Sequence, residues 1–238
     1  MARKIGISIV ELEELKQVPK PVSLLEYDLG LFLMATSLER FPIRDWVEKQ
    51  GKQLSLSVLS TYFFAPRLDE EQRSERVAVA CELFAEYRID ELMIRQKEGE
   101  DFSSPQFAKV LRPFLDQGVE VLWEVGMKSV TQELGRVSLG GVDLGELTNR
   151  QLSVPSSFSF AEPVFDPAWH DVGLWRSKKK FKIHGWHADR WVRRYGATQI
   201  EELAKSIKKN ADPDAEILLG HSGRIEEWEL FSKWISSV

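Results

Sequence analysis

Leu54-Ser-Leu-Ser-Val-Leu59 alternates apolar and polar side chains with nearly strict period two. Such alternation predicts a β-strand. Asp69 to Tyr87 follows, rich in Glu, Arg, Ala and Leu, and reads as the clearest helix of the chain. Glu91-Leu-Met-Ile-Arg95 then reads as a second strand. Strand, helix, strand in that order needs a crossover, which makes the two strands parallel and the connection right-handed.

The same alternation extends outward in both directions. Ile5 to Val10 opens as a strand, and Glu11 to about Asp28 has helical spacing broken by Pro19 and Pro21. Leu31-Phe-Leu-Met-Ala-Thr36 is a second apolar run, and Ile43 to Gln50 a short helix after Pro42. Beyond Arg95, Ser103 or Ser104 with Pro105 starts a helix that runs to about Gln117 and stops at Gly118. Val119 to Glu124 is strand five, Lys128 to Leu134 a helix, and Arg136 to Leu139 a weak strand six. Residues 150–178, with three prolines, are the least regular part. Phe181 to His184 is strand seven, Thr198 to Lys209 a helix, Glu216 to Leu219 strand eight, and Ile225 to Ile235 the closing helix. Eight strands alternating with helices predict an α/β fold, a single (β/α)8 TIM-type barrel domain over residues 1–238. An open doubly wound sheet is the rival.

Composition narrows the class. The chain has 238 residues, 43% hydrophobic and 29% charged, which is ordinary for a globular protein. A net charge of −5 argues against a general nucleic-acid binder but leaves room for a local basic patch. One cysteine, Cys81, excludes an internal disulfide and fits a reducing compartment. Val77, Cys81 and Phe84 share helical spacing, so Cys81 reads as packing. The basic start meets Glu11, Glu13 and Glu14 after a short apolar run, and no stretch has the length of a membrane span. The expectation is a cytoplasmic protein without a membrane partner.

Several strands resemble those of the YecE-like family of uncharacterised TIM-barrel proteins. Phe181-Lys-Ile-His-Gly185 resembles its aromatic-x-[Arg/Lys]-x-His-Gly strand, with the basic residue, Lys182, directly after the aromatic; Leu92-Met-Ile-Arg-Gln96 resembles a strand ending in glutamine, and Val119 to Glu124 a strand carrying a glutamate. The helix from Tyr195 to Lys209 matches in placement. Ser8-Ile-Val-Glu11, Ala35-Thr-Ser-Leu-Glu39 and Gly220-His-Ser-Gly223 depart from the family pattern, which marks a divergent member. The resemblance implies a barrel with its site at the strand ends, and no established activity.

In such a barrel chemistry gathers at the C-terminal strand ends. The residues there are Ser8 and Glu11, Thr36 and Glu39, Ser60, Arg95 and Gln96, Glu124, Asp143, His184 and Trp186, and His221. Glu124 follows Val121-Leu-Trp123, so desolvation would raise its pKa and suit acid/base work, with a salt bridge to Arg95 as the structural alternative. The leading reading is a small-molecule enzyme with an anionic or phosphorylated substrate. Glu124 is its acid/base, His184 a second proton-transfer group and Arg95 a charge partner. Substrate contacts would come from Gln96, Trp186, Arg190, His221, Gly223 and Arg224. Gly220-His-Ser-Gly-Arg224, leading into a helix, is a candidate anion site.

The alternative is a non-catalytic nucleotide or single-strand nucleic-acid binder using the Trp and Arg cluster of residues 186–195. A third is a metal-dependent hydrolase or isomerase with Glu124, Asp143, His184 and His221 converging, although their spacing is not diagnostic. No phosphate loop, nucleophile elbow, dinucleotide fingerprint or zinc-cysteine pattern is present, so no cofactor is named and no metal ligand assigned. Enzyme and binding protein both stay open, as does oligomeric state.

Overall fold

The structure is a computed structural model, which describes residues 4–18, 20, 22–95, 105–124, 161–164, 176, 180–183 and 205–219. It divides into two compact units, Met1–Glu26 with Phe165–Val238, and Tyr27–Val164.

In the first unit, β1 (Ile5–Ser8) pairs in parallel with β2 (Leu24–Asp28), within which the division between units falls. On its other side β1 pairs in parallel with β8 (Glu216–Leu219), and β8 pairs with β7 (Lys180–Ile183). The second unit holds β3 (Gln53–Leu59), β4 (Glu91–Arg95), β5 (Glu120–Glu124) and β6 (Ala161–Val164), parallel in that order. The strand order is β6-β5-β4-β3-β2-β1-β8-β7. The fold is α/β, of the (β/α)8 type, and the last strand returns to the first, with Ile5 level with Ile217 and Ile7 with Leu219.

Helices α1 (Leu29–Met34), α2 (Ser37–Gln50), α3 (Thr61–Phe64), α4 (Glu70–Tyr87) and α5 (Pro105–Asp116) belong to the second unit. Capping chemistry sets the start of α4, where Asp69 accepts from the Gln72 amide at 2.8 Å and Gln72 accepts from the Asp69 amide at 3.3 Å. The α4 chain ends at Arg88, whose positive φ of 51° turns the backbone so that the Ile89 amide donates to the Phe84 carbonyl at 2.9 Å. The core is aromatic here: Phe84 and Phe63 each meet Phe114 edge to face at centroid distances of 5.2 and 5.8 Å.

Three expectations are corrected. Strand two is not Leu31–Thr36 but Leu24–Asp28, inside the stretch read as helical. Leu29–Met34 is instead α1, because Asp28 caps it and Leu, Phe and Met suit a helix as well as a strand. Helix α2 starts at Ser37, not Ile43, and carries Pro42 within it. Strand six is Ala161–Val164, in the stretch read as least regular; residues 136–139 lie outside the described residues.

Gly6 is dictated by packing. A Cβ there would sit 2.8 Å from Leu218 Cδ1 and 3.0 Å from Leu24 Cδ2. Both leucines are buried and have little room to yield. Gly6→Val is expected to lower unfolding stability by about 1–3 kcal/mol, read from the urea midpoint; an unchanged midpoint would show that this layer has slack.

Candidate functional site

One strand position above that leucine layer, the first unit buries charge. Ser8 and Gly6 share one side of β1, as Glu26 and Leu24 share one side of β2. The Glu26 carboxylate accepts from Ser8 Oγ at one oxygen and from Lys182 Nζ at the other, both at 2.6 Å. The Lys182 and Glu26 side chains are only 4% and 3% exposed. Lys182 stands level with Leu218 on β8, so its long stem crosses the apolar layer before the ammonium meets the carboxylate. A buried carboxylate with two charge-fitting donors is held in one place, and no water competes for it.

The second unit arranges its charges differently, at the open ends of its strands. Arg95 closes β4 and stands in register with Glu124, the last residue of β5 and half-buried. Arg95 Nη2 donates to Asp28 Oδ2 at 2.6 Å, and these side chains are 32% and 36% exposed. Asp28 has a second task, because its Oδ1 accepts from the Leu31 amide at 3.2 Å and caps α1. The Arg95 Nε is buried and has no hydrogen-bond partner among the described residues. A buried donor left unmet is costly.

A cleft of about 600 Å³ opens beside this row, with Asp28, Leu59, Thr61, Tyr62, Arg67 and Arg76 in its walls. Two arginines of α4 hold its loop. Arg76 Nη1 donates to the Tyr62 carbonyl at 2.6 Å and its guanidinium lies 5.0 Å from the Tyr62 ring centroid. Arg73 donates to the carbonyls of Phe63 and Leu68, at 2.9 and 3.1 Å. Partial burial pushes the Tyr62 phenol above its ordinary pKa, against the pull of Arg76, so it stays protonated at neutral pH.

Of the sequence-derived candidates, the structure brings together Arg95 and Glu124 in neighbouring strand ends. Gln96, Asp143, His184, Trp186, Arg190, His221, Gly223 and Arg224 lie outside the described residues, as do the rest of the 186–195 cluster and of the 220–224 loop. Thr36 and Glu39 do not end a strand. They form the capping box of α2, in which the Thr36 amide and hydroxyl donate to Glu39 at 2.7 and 2.8 Å and hold its carboxyl below the usual range. Glu11 precedes a 3-10 helix, Leu12–Gln17, and Ser60 is buried, with its amide donating to the Arg95 carbonyl at 2.9 Å. Sequence reasoning missed Glu26, Lys182 and Asp28. Cys81 packs in α4 as read; burial pushes its thiol up to about 11, far from reactive. Among the described residues no group of three metal-binding side chains gathers, and no helix is long and apolar enough to cross a membrane.

No family model and no curated protein matches the sequence. Solved structures do match in fold. A D-psicose 3-epimerase from Clostridium cellulolyticum H10, solved with D-tagatose, is similar with a TM-score of 0.58 and 12% identity, over 98% of this chain and 94% of that one. A D-tagatose 3-epimerase-like protein gives 0.57 and 12%, over 99% and 98% of the two chains. A xylose isomerase domain protein from Planctomyces limnophilus gives 0.54 and 12%, over 99% and 96%. At this identity the likeness establishes the fold alone.

The two tasks of Asp28 separate by substitution. Asp28→Asn keeps the cap and loses only a part-exposed ion pair, a loss of about 0–1 kcal/mol. Asp28→Ala also loses the cap, about 1 kcal/mol more. Urea midpoints in that order are expected; equal midpoints would show that Asp28 does not cap α1 in solution.

Proposed function

We propose that the chain is a small-molecule isomerase or epimerase, acting on a polyhydroxylated substrate that carries an anionic group. The observation that carries this is the pair Arg95 and Glu124, in register at adjacent strand ends, with the buried Nε of Arg95 unmet among the described residues. Glu124 takes the proton from the carbon beside a substrate carbonyl. The electron pair moves to the carbonyl oxygen, where Arg95 donates to the developing negative charge. The proton then returns to that carbon on its other face or to its neighbour. Asp28 holds the Arg95 guanidinium in position from one side.

Two further points support this. Similar folds are named for sugar epimerases and an isomerase domain, one of them solved with D-tagatose. The resemblance to YecE-like strands at Leu92–Gln96 and Val119–Glu124 is in keeping with a site at those strand ends. In this reading the chain works in the cytoplasm.

The test is solvent exchange. Aldoses, ketoses and their phosphate esters are incubated with the protein in D2O, and the C–H beside the carbonyl is followed by proton NMR. Deuterium wash-in is expected for at least one member, falling about 10²–10⁴-fold in Glu124→Gln. No wash-in across the panel, or wash-in unchanged in that variant, overturns the proposal.

A further inference from the structure

Resting on the reading of the strand ends as a small-molecule site, we propose that the cleft beside β3 is an anion subsite, in which Arg67 and Arg76 hold the phosphate of a phosphomonoester substrate. Both arginines line the cleft, and neither has a carboxylate partner among the described residues. Asp28, the carboxylate in its wall, is already neutralised by Arg95. The cleft therefore carries a local positive excess within a chain of net charge −5. Excess cation in a concave, partly dry site concentrates an anion.

The site is also fixed in advance. Arg76 uses one N–H on the Tyr62 carbonyl and stacks over its ring, which leaves the rest of its fork for a ligand. Arg73 ties the same loop at Phe63 and Leu68. Thr61 and Tyr62 add hydroxyl donors, and burial keeps the Tyr62 phenol protonated. A guanidinium fork with neutral hydroxyls suits a phosphate oxygen set better than a hydrophobic group. The volume, about 600 Å³, admits a sugar phosphate. Asp28 lines the cleft and binds Arg95, so a phosphate here sets the rest of the substrate toward Arg95 and Glu124.

The test uses three probes at matched ionic strength: inorganic phosphate, D-fructose, and D-fructose 6-phosphate. Calorimetric titration reads binding to wild type, Arg67→Ala, Arg76→Lys and Glu124→Gln. Inorganic phosphate should bind wild type, and the sugar phosphate more tightly than the free sugar by about tenfold or more. Arg67→Ala, an exposed side chain, should weaken phosphate binding about tenfold without unfolding the chain. Arg76→Lys keeps the charge but loses the fork and should weaken it too. Glu124→Gln should bind phosphate as wild type does. Phosphate binding that is absent, or equal in wild type and Arg67→Ala, overturns the subsite. If exchange still depends on Glu124 in that case, the reading of the strand ends stands without it. Binding of phosphate with no discrimination between fructose and its phosphate overturns the assignment to a substrate phosphate.

Discussion

A carboxylate and an ammonium cannot be taken out of water singly, and Glu26 and Lys182 are both almost wholly buried. The penalty for each ion is several kcal/mol, and their mutual contact at 2.6 Å, with Ser8 on the remaining oxygen, works against it. The two residues stand on β2 and β7 and are separated by 156 positions in the chain. Their pairing therefore ties strands from opposite ends of the sequence within the first unit. It also sets the layer beneath. Lys182 must cross the leucine layer to reach its partner, and Gly6 leaves that layer no room for another side chain. Apolar packing alone would hold these strands with less penalty, since each buried leucine contributes roughly 1.5–3 kcal/mol. A buried charge pair instead fixes position, because each charge has only a narrow geometry in which it is met.

Polar groups are held in two ways. In the first unit Glu26 and Lys182 are sealed against each other, which suits a fixed scaffold. In the second Asp28, Arg95 and Glu124 remain partly open, and Arg95 keeps an unmet donor among the described residues. Fixed charges that are reachable cost little reorganisation when a reaction develops new charge.

Much of the fold was legible because its strands obey simple patterns. Strand four and strand eight fall where the apolar runs fall, and β3 and β5 differ by one residue at their starts. Strand two was hidden by its polar residues. Leu24-Leu-Glu-Tyr-Asp28 carries the buried glutamate and the rim aspartate, so its hydrophobic pattern is broken. The nearby run Leu31–Thr36 looks more like a strand but is short, capped by Asp28 and half exposed as a helix. Thr36 and Glu39 mimicked a strand end because a capping box needs the same residue types. Arg95 and Glu124 were legible as neighbouring strand ends because each closes a clear strand. Arg67 and Arg76 gave no signal, since an arginine in a loop or on a helix reads as solvated. The clue was Tyr62-Phe-Phe-Ala-Pro66 after strand three, an aromatic stretch through α3 too apolar for an ordinary connection.

The central claim is that Glu26 and Lys182 act as one charge-coupled unit that ties the strands of the first unit together. A double-mutant cycle tests it most directly, with Glu26→Leu, Lys182→Met and the double variant compared by urea unfolding. Each single substitution should lose about 3–5 kcal/mol by stranding the other charge, and the double variant should recover most of that loss. Losses that simply add, within about 0.5 kcal/mol, would contradict the account.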